Sequence, residues 1–420
     1  MKKIALLTLI FSIFLLSSCQ DAIFEAIMED VIPESATVSG NITNITRYTA
    51  AGDEYLFLAA DGGLRYKLRT NSEHGSWKVF ALPFELIHYN SEANTYDGEQ
   101  ILTVLADDVY LYLVTTSYTY DLRYGQNYPY EFKIWALKDF TKNGDELTAD
   151  NVAWTSYTPS ETEQKELFPI AKDSDDYYYS NFNVFQTNAP KQAHRAAYLM
   201  SYDSTNKEYT YHQFKGNEAS KLKDLTLDHT TFIDPNRTTD ASYVSVARSA
   251  VWFNGGIKFI ASRVATTNET YGDTSDSSTD ATYYYYTNGN SKLYYNSSDT
   301  ETNASGIDAN TSYVVSALAT TEDSILIGYG TVGATGAGGI ERMTLANGVP
   351  KGGASFETNA AFQITSSYKV VSLLNATPDK TELESNLYAS ANFAGASNSF
   401  DNIGLWSYYP WRGLSGWNRE

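Results

Sequence analysis

Between Ser117 and Tyr130 the chain reads SYTYDLRYGQNYPY, so that Tyr118, Tyr120, Tyr124, Tyr128 and Tyr130 surround a single cation, Arg123. A phenol offers a flat apolar face and a polar tip, and a guanidinium adds directed donors. That mixture suits the faces of sugar rings and the buried centre of a protein contact. A second stretch, Asn188–Arg195, carries Lys191, His194 and Arg195. On a chain of formal charge −20 these cations form a local exception. The chemistry on offer is recognition of a glycan or a protein. The plainer reading of the same tyrosines is mutual packing that holds a long loop in shape.

Other chemistries are poorly supported. Gly328-Tyr329-Gly330-Thr331-Val332-Gly333 has the spacing of a dinucleotide-binding turn, which works by opening a helix onto a pyrophosphate. Ala-Thr-Gly-Ala-Gly-Gly follows, and that run does not make a helix. A loop between strands is expected there instead. Asp273, Asp276 and Asp280, like Asp173, Asp175 and Asp176, lack the tight spacing of a calcium loop. The five histidines (74, 88, 194, 212 and 229) show no zinc-ligand spacing. No cofactor or metal is expected. An acidic surface repels phosphate backbones, so a nucleic-acid partner is not expected either.

The elements that hold these residues recur. Ser312–Leu345 runs as strand, turn, strand, Gly-rich loop, strand, and Ser242–Val264, Ser367–Phe393, Gln100–Thr115, Asn41–Ala60 and Leu167–Phe185 fit the same frame. Third strands are expected at 64–68, 132–137, 197–202, 283–286, 340–345 and 405–409. First strands begin near residues 42, 101, 168, 243, 313 and 368, and each interval leaves room for about four strands with their turns. A four-stranded unit at this spacing predicts an all-β fold, a single β-propeller of six blades with seven as the alternative count. Ser117–Tyr130 and Thr266–Thr282 are then insertions between second and third strands. The first and last units share Gly-Leu at the third strand and Gly before Trp77 and Trp417. An open ring exposes two sheet edges, so these two units are expected to meet.

The N-terminus has its own signature. Lys2 and Lys3 precede an apolar run, Ile4 to Leu16, too short for a membrane span of about 20 residues. Leu16-Ser17-Ser18-Cys19 follows, and Cys19 is the sole cysteine. The stretch resembles the lipobox of bacterial lipoproteins. That resemblance implies cleavage before Cys19 and lipid on its sulfur and amine, leaving no free thiol. Loss of residues 1–18 takes away Lys2 and Lys3 and moves the charge from −20 to −22. In Asp21–Ile32 apolar residues fall at 23, 24, 27, 28, 31 and 32, a helical stripe ended by Pro33. A short helix joining anchor to propeller is expected there.

The resulting plan is a signal peptide over 1–18, a lipidated cysteine and helical linker over 19–38, and a propeller over 39–420. It is similar to the propeller lipoproteins of diderm bacteria, exported and held at the outer membrane or cell surface. Asn71–Trp77 resembles, over one hairpin only, the Ser-x-Asp-x-Gly-x-Thr-Trp turn of sialidase-like propellers. Its Gly stands one place too near Trp77 and no Asp is present. Function is expected to be binding of a glycan or protein through propeller-face loops. A glycan-active hydrolase and an envelope-assembly scaffold are the alternatives. If Cys19 carries the lipid, Cys19→Ala abolishes labelling by a fatty-acid probe and moves the protein out of the detergent phase. Equal labelling of the variant overturns the assignment.

Overall fold

The computed structural model describes residues 38, 42–60, 63–69, 77–92, 95–121, 126–144, 146–172, 178–203, 208–216, 222–225, 243–253, 256–265, 284–287, 290–295, 313–320, 324–331, 338–346, 349–355, 368–376, 386–393, 404–409 and 417–420. The expected linker helix Asp21–Ile32 and the Thr266–Thr282 insertion lie outside them.

The described residues are mostly strand, in antiparallel meanders. The first sheet is Ile45–Ala50, Asp53–Ala60, Gly63–Leu68 and Lys78–Phe80. The second is Gln100–Ala106, Leu111–Asp121, Gln126–Leu137 and Thr155–Tyr157. An eight-stranded sheet follows. One half runs through Phe182–Asn188, Ala197–Asp203, Glu208–Phe214 and Leu222–Leu225. The other runs through Tyr243–Phe253, Gly256–Ala265, Tyr284–Thr287 and Asn290–Tyr295. The halves join by a short parallel contact, Thr187 beside Ala250 and Asn188 beside Val251. Two further four-stranded sheets are Tyr313–Thr320, Ser324–Thr331, Gly338–Ala346, Val349–Ser355 and Tyr368–Asn375, Leu387–Phe393, Gly404–Tyr408, Trp417–Arg419.

Side-chain alternation shows how the sheets are arranged. In Asp53–Ala60, Tyr55, Phe57 and Ala59 pack with Val104, Leu111 and Leu113 of the second sheet. The residues between them, Leu56, Leu58 and Ala60, pack with Leu374, Tyr388 and Leu405 of the last sheet. Leu111–Asp121 divides the same way. Leu111 and Leu113 face the first sheet, while Tyr112 and Val114 meet Ala197, Leu199 and Phe214. A strand buried on both faces does not belong to a two-sheet sandwich, where the outer face meets solvent. The arrangement is a propeller-like ring, with each sheet packed on its neighbours.

A bulge recurs in the first strand of four meanders, between Ile101 and Thr103, Ala247 and Ser249, Val315 and Ala317, and Val370 and Ser372. Bulges sharpen local twist. They also turn backbone groups out of the ladder, as at Leu102, and polar side chains bind backbone groups across neighbouring sheets. The Leu102 carbonyl accepts from Thr43 Oγ1 at 2.5 Å, and Ser372 Oγ accepts from Ile45 N at 3.0 Å. Gln186 donates to the Ile45 carbonyl and accepts from Ala106 N, while Asn188 donates to the Leu373 carbonyl. Amide side chains thus tie the first strands of four sheets together.

The ring closes between the first and last sheets, as the shared Gly-Leu and Trp positions led us to expect. Val38 N donates to the Glu420 carbonyl and Glu420 N to that of Leu405. The Glu420 carboxylate accepts from Lys67 Nζ at 2.8 Å and from Trp77 Nε1 at 3.0 Å. Lys67 also lies over the rings of Trp77 and Tyr388.

One repeat is framed differently from expectation. Ala197–Asp203 is the second strand of its meander, and the first is Phe182–Asn188, not a strand beginning near 168. Leu167 instead ends a helix, Glu161–Leu167, and the strand Ile170–Lys172 pairs with Tyr178–Ser180 as a separate two-stranded sheet.

The Lys67 side chain is 2% exposed, and removing the partner of a buried charge costs about 3–5 kcal/mol. Glu420→Ala is expected to lower the stability to chemical denaturation by that amount. A change below about 0.5 kcal/mol, the range of an ordinary surface substitution, would show that the seam is held elsewhere.

Candidate functional site

The tyrosine-rich stretch is not a loop. It continues the second and third strands of the second sheet as a hairpin, with Tyr118 opposite Pro129, Thr119 opposite Tyr128, Tyr120 opposite Asn127 and Asp121 opposite Gln126. Arg123 and Tyr124 lie outside the described residues. A register shift between Ser117 and Tyr118 leaves Tyr130 as the extra residue, and it stands 52% exposed. Tyr118 is half-buried, and burial raises its phenol pKa.

Tyr128 and Tyr130 line a cleft of about 580 Å³ together with Pro129, Glu131, Phe132, Pro159, Glu161, Gln164, Lys165, Phe168, Pro169, Ile170 and Tyr178. Its volume lies within the usual range of small-ligand sites. Two ring stacks shape it: Tyr128 on Tyr178 at 4.5 Å and Phe132 on Phe168 at 4.8 Å. Phe182 meets both Phe132 and Phe168 edge-on.

The far wall is the helix Glu161–Leu167. Ser160 caps it: its hydroxyl accepts from Glu163 N, and Ser160 N donates to the Glu163 carboxylate. Such a box satisfies donors that a helix start leaves open. Gln164 then does for the sheet what a further strand would do. Its Oε1 accepts from Phe132 N at 3.0 Å, and its Nε2 donates to the Phe132 carbonyl at 2.8 Å. Helix and hairpin are therefore joined through one side-chain amide. The rim is charged. Lys165 pairs with Glu161 at 2.8 Å; the hydrogen bond from Lys165, then its charge, lowers the Glu161 pKa. Glu131 pairs with Lys133 at 3.2 Å, and Lys133 reaches inward to Glu99 at 2.9 Å. Glu99 is buried and also accepts from Thr115 and Trp135. Burial opposes the charge on Lys133, but its bonds to Glu99 and Glu131 outweigh it and raise its pKa.

The second cationic stretch does not adjoin the first. Residues 189–196 join the first and second strands of their meander, whereas the tyrosine hairpin joins second and third strands. Alternating strand direction puts such connections at opposite ends of a ring. Gln192 confirms the side: it accepts from Thr49 N and donates to the Asp108 carbonyl, both at first-to-second connections. Lys191 is exposed, and His194 stacks on Trp252 at 3.9 Å. Arg195 is buried. It donates to the Ala189, Pro190 and Arg47 carbonyls and to Glu54 at 2.6 Å. Expected as an open ligand contact, it serves as an internal cross-link.

Glu54 is the anion of that cross-link. Arg47 holds both its oxygens, at 3.0 and 2.7 Å, and Arg69 Nε lies 2.5 Å from Oε2. Burial pushes the Glu54 pKa up, but the hydrogen bonds and charge of Arg47 and the charge of Arg195 outweigh it. They hold the carboxyl at about 2, against an ordinary 4.5.

Of the remaining motifs, Gly328–Thr331 lies within the strand Ser324–Thr331, not in a loop, and the rest of that glycine run lies outside the described residues. So do both aspartate groups, His74 and His229. Among the described residues no group of three acidic, His or Cys side chains is placed to hold a metal, and no helix is long and apolar enough to cross a membrane. Sequence reasoning missed the helix and its cleft. Ser160-Glu161-Thr162-Glu163, a capping-box sequence, was the available signal.

Fold and cleft together define an all-β, propeller-like protein with an aromatic recess at the side of one sheet. No protein-family model and no curated protein matches the chain. Among solved structures it is similar to AofleA from Arthrobotrys oligospora, with 13% identity over 92% of this chain and 86% of that chain and a TM-score of 0.41. It is also similar to an ulvan lyase of a polysaccharide lyase family, with 8% identity, coverage of 90% and 95%, and a TM-score of 0.36. A third is the N-terminal domain of Nup159, with 9% identity, coverage of 84% and 74%, and a TM-score of 0.31. At such TM-scores the likeness assigns this chain neither ligand nor activity.

A carboxyl whose pKa is lowered on folding contributes stability that is complete above its unfolded pKa and is lost as pH falls through the folded one. For Glu54 that window runs from 4.5 down to about 2. Glu54→Gln is expected to be less stable than the parent at neutral pH, with the gap narrowing below pH 4.5. Denaturation midpoints of both proteins against pH provide the check. A gap independent of pH would mean that Glu54 is not the ionised partner.

Proposed function

We propose that this chain is a lipid-anchored cell-envelope protein whose propeller binds a glycan in the cleft beside the tyrosine hairpin. The halves of the eight-stranded sheet count as two blades, which with the four other meanders makes six. The lipid on Cys19 supplies the membrane attachment, at the outer membrane or cell surface. The observation that carries the binding reading is the recess itself. It offers stacked aromatic walls, an exposed Tyr130 and a charged rim, and sugar recognition combines ring faces with directed polar groups. A helix wall held to the hairpin by Gln164 favours a preorganised site, which lowers the entropic cost of binding.

Hydrolysis is the weaker reading of the same cleft. It requires a carboxyl kept protonated as general acid, and Lys165 favours the ionised form of Glu161.

Glycan-array screening of the mature chain is expected to give specific signals that Tyr128→Ala weakens at least about tenfold, the loss of one good aromatic contact. The variant should melt within a few degrees of the parent. Array signals unchanged by Tyr128→Ala would remove the cleft from consideration. Unfolding of the variant would make the Tyr128–Tyr178 stack structural, and binding only to protein partners would reassign the ligand class.

A further inference from the structure

Three exposed tyrosines stand at one end of the ring. Tyr89 and Tyr96 face each other across the hairpin His88–Asn90 and Thr95–Asp97, with ring centroids 5.4 Å apart, and are 54% and 40% exposed. That hairpin lies between the fourth strand of the first sheet and the first strand of the second. Its Thr95–Asp97 arm runs beside Leu111–Asp121. Tyr130, 52% exposed, belongs to the neighbouring tyrosine hairpin, between second and third strands. In antiparallel meanders the connections from fourth strand to first and from second to third fall at the same end. The aromatic cleft, built beside the tyrosine hairpin, is at that end too.

The chain also enters the ring there. Val38 lies ahead of the first strand, Ile45–Ala50, and its N donates to the carbonyl of Glu420, just past the last strand. The path from Val38 to Ile45 is therefore equivalent to a fourth-to-first connection, leading from the last sheet to the first. From Cys19 to Val38 the chain spans at most about 65 Å when fully extended. A lipid on Cys19 thus holds the ring near a bilayer, and the entry end is the one it holds nearer. Tyrosine suits such a boundary, because its ring is apolar and its hydroxyl remains wet.

We propose that the end of the ring bearing Tyr89, Tyr96 and Tyr130 is a membrane-docking surface, resting on the headgroups of the bilayer that holds the lipid. This orientation rests on the lipid anchor at Cys19 proposed above. The occupant is zwitterionic phospholipid. Glu85, Glu92 and Asp97 are exposed at the same end, and their carboxylates repel an anionic leaflet. The rings supply the contact, and the first-to-second connections, with Lys191 and Asp108, point away from the bilayer.

Single-site labelling of the lipidated protein tests this. Cys19 is the sole cysteine and its sulfur carries the lipid, so Glu92→Cys and Lys191→Cys, both at exposed positions, each add one free thiol for a maleimide fluorophore. Each labelled protein is reconstituted into vesicles of phosphatidylcholine and phosphatidylethanolamine, with and without a nitroxide on the phosphatidylcholine headgroup. Strands of seven residues set the two ends about 20 Å or more apart, so quenching at Glu92 is expected to be at least about twice that at Lys191. Tyr89→Ser with Tyr96→Ser is expected to reduce the quenching at Glu92, whereas Val109→Ser, an exposed apolar residue at the far end, leaves it unchanged. Should a labelled variant fail to fold, Ser91→Cys and Asp108→Cys, exposed at the same two ends, replace the first pair. Equal quenching at both ends of a lipidated protein, or stronger quenching at Lys191, overturns the docking surface and leaves the anchor standing. Absence of the lipid from Cys19 overturns both.

Discussion

The structure depends on sheets that are apolar on both faces. Tyr55, Phe57 and Ala59 point one way from a strand whose Leu56, Leu58 and Ala60 point the other. Neither set can be left in water at acceptable cost, since each large side chain contributes roughly 1.5–3 kcal/mol on burial. A sheet of this kind needs two neighbours, and each neighbour needs another. The requirement ends only when the last sheet returns to the first. Closure is thus imposed by the side-chain pattern, and the Lys67–Glu420–Trp77 contact fixes where it falls.

Around the axis the problem is polar. First strands approach one another with backbone groups that need partners from outside their own sheet. Asn44, Gln186, Asn188 and Ser372 satisfy these groups, with Asn44 donating to the Val104 carbonyl at 2.7 Å and Ser372 donating to Asn44 Oδ1 at 3.1 Å. Short neutral side chains suit that position, because they carry donors and acceptors without a charge to desolvate. Charged groups pair at the seam, where Glu420 meets Lys67, and in the Glu54 cluster, where one anion meets Arg47, Arg69 and Arg195.

Much of the architecture was legible in the sequence because strand alternation and turn spacing are local signals. Strands starting at 100, 243, 313 and 368 are read directly from runs such as SYVVSALAT. The third repeat was misframed because Leu167–Phe185 does hold a strand pair, Ile170–Lys172 with Tyr178–Ser180, but as a separate two-stranded sheet outside the meander that starts at Phe182. The tyrosine hairpin was read as an insertion because the repeat frame left it between the second and third strands, whereas Tyr118, Tyr120 and Tyr128, Tyr130 alternate with other residues at the period of a strand. Thr103, Ser249, Ala317 and Ser372, the small residues just past each bulge, were a repeat signal that went unread. Arg195 was the hardest. Its partner Glu54 is 141 residues away, and no local pattern reports such a pairing. The cleft was half visible: Tyr128 and Tyr130 are in the hairpin, but the helix wall and Tyr178 come from elsewhere in the chain.

The seam also imposes an order in time. Ile45 and Ser372 are 327 residues apart, and Lys67 and Glu420 are 353 apart. At translation rates of about 5–20 residues per second, the first sheet waits roughly 20–70 seconds for its second neighbour to be made. Through that interval Leu56 and Leu58 have no native cover, and the edge beside Ile45 is unpaired. Such a nascent chain depends on a chaperone or holding factor for longer than a protein built from local contacts.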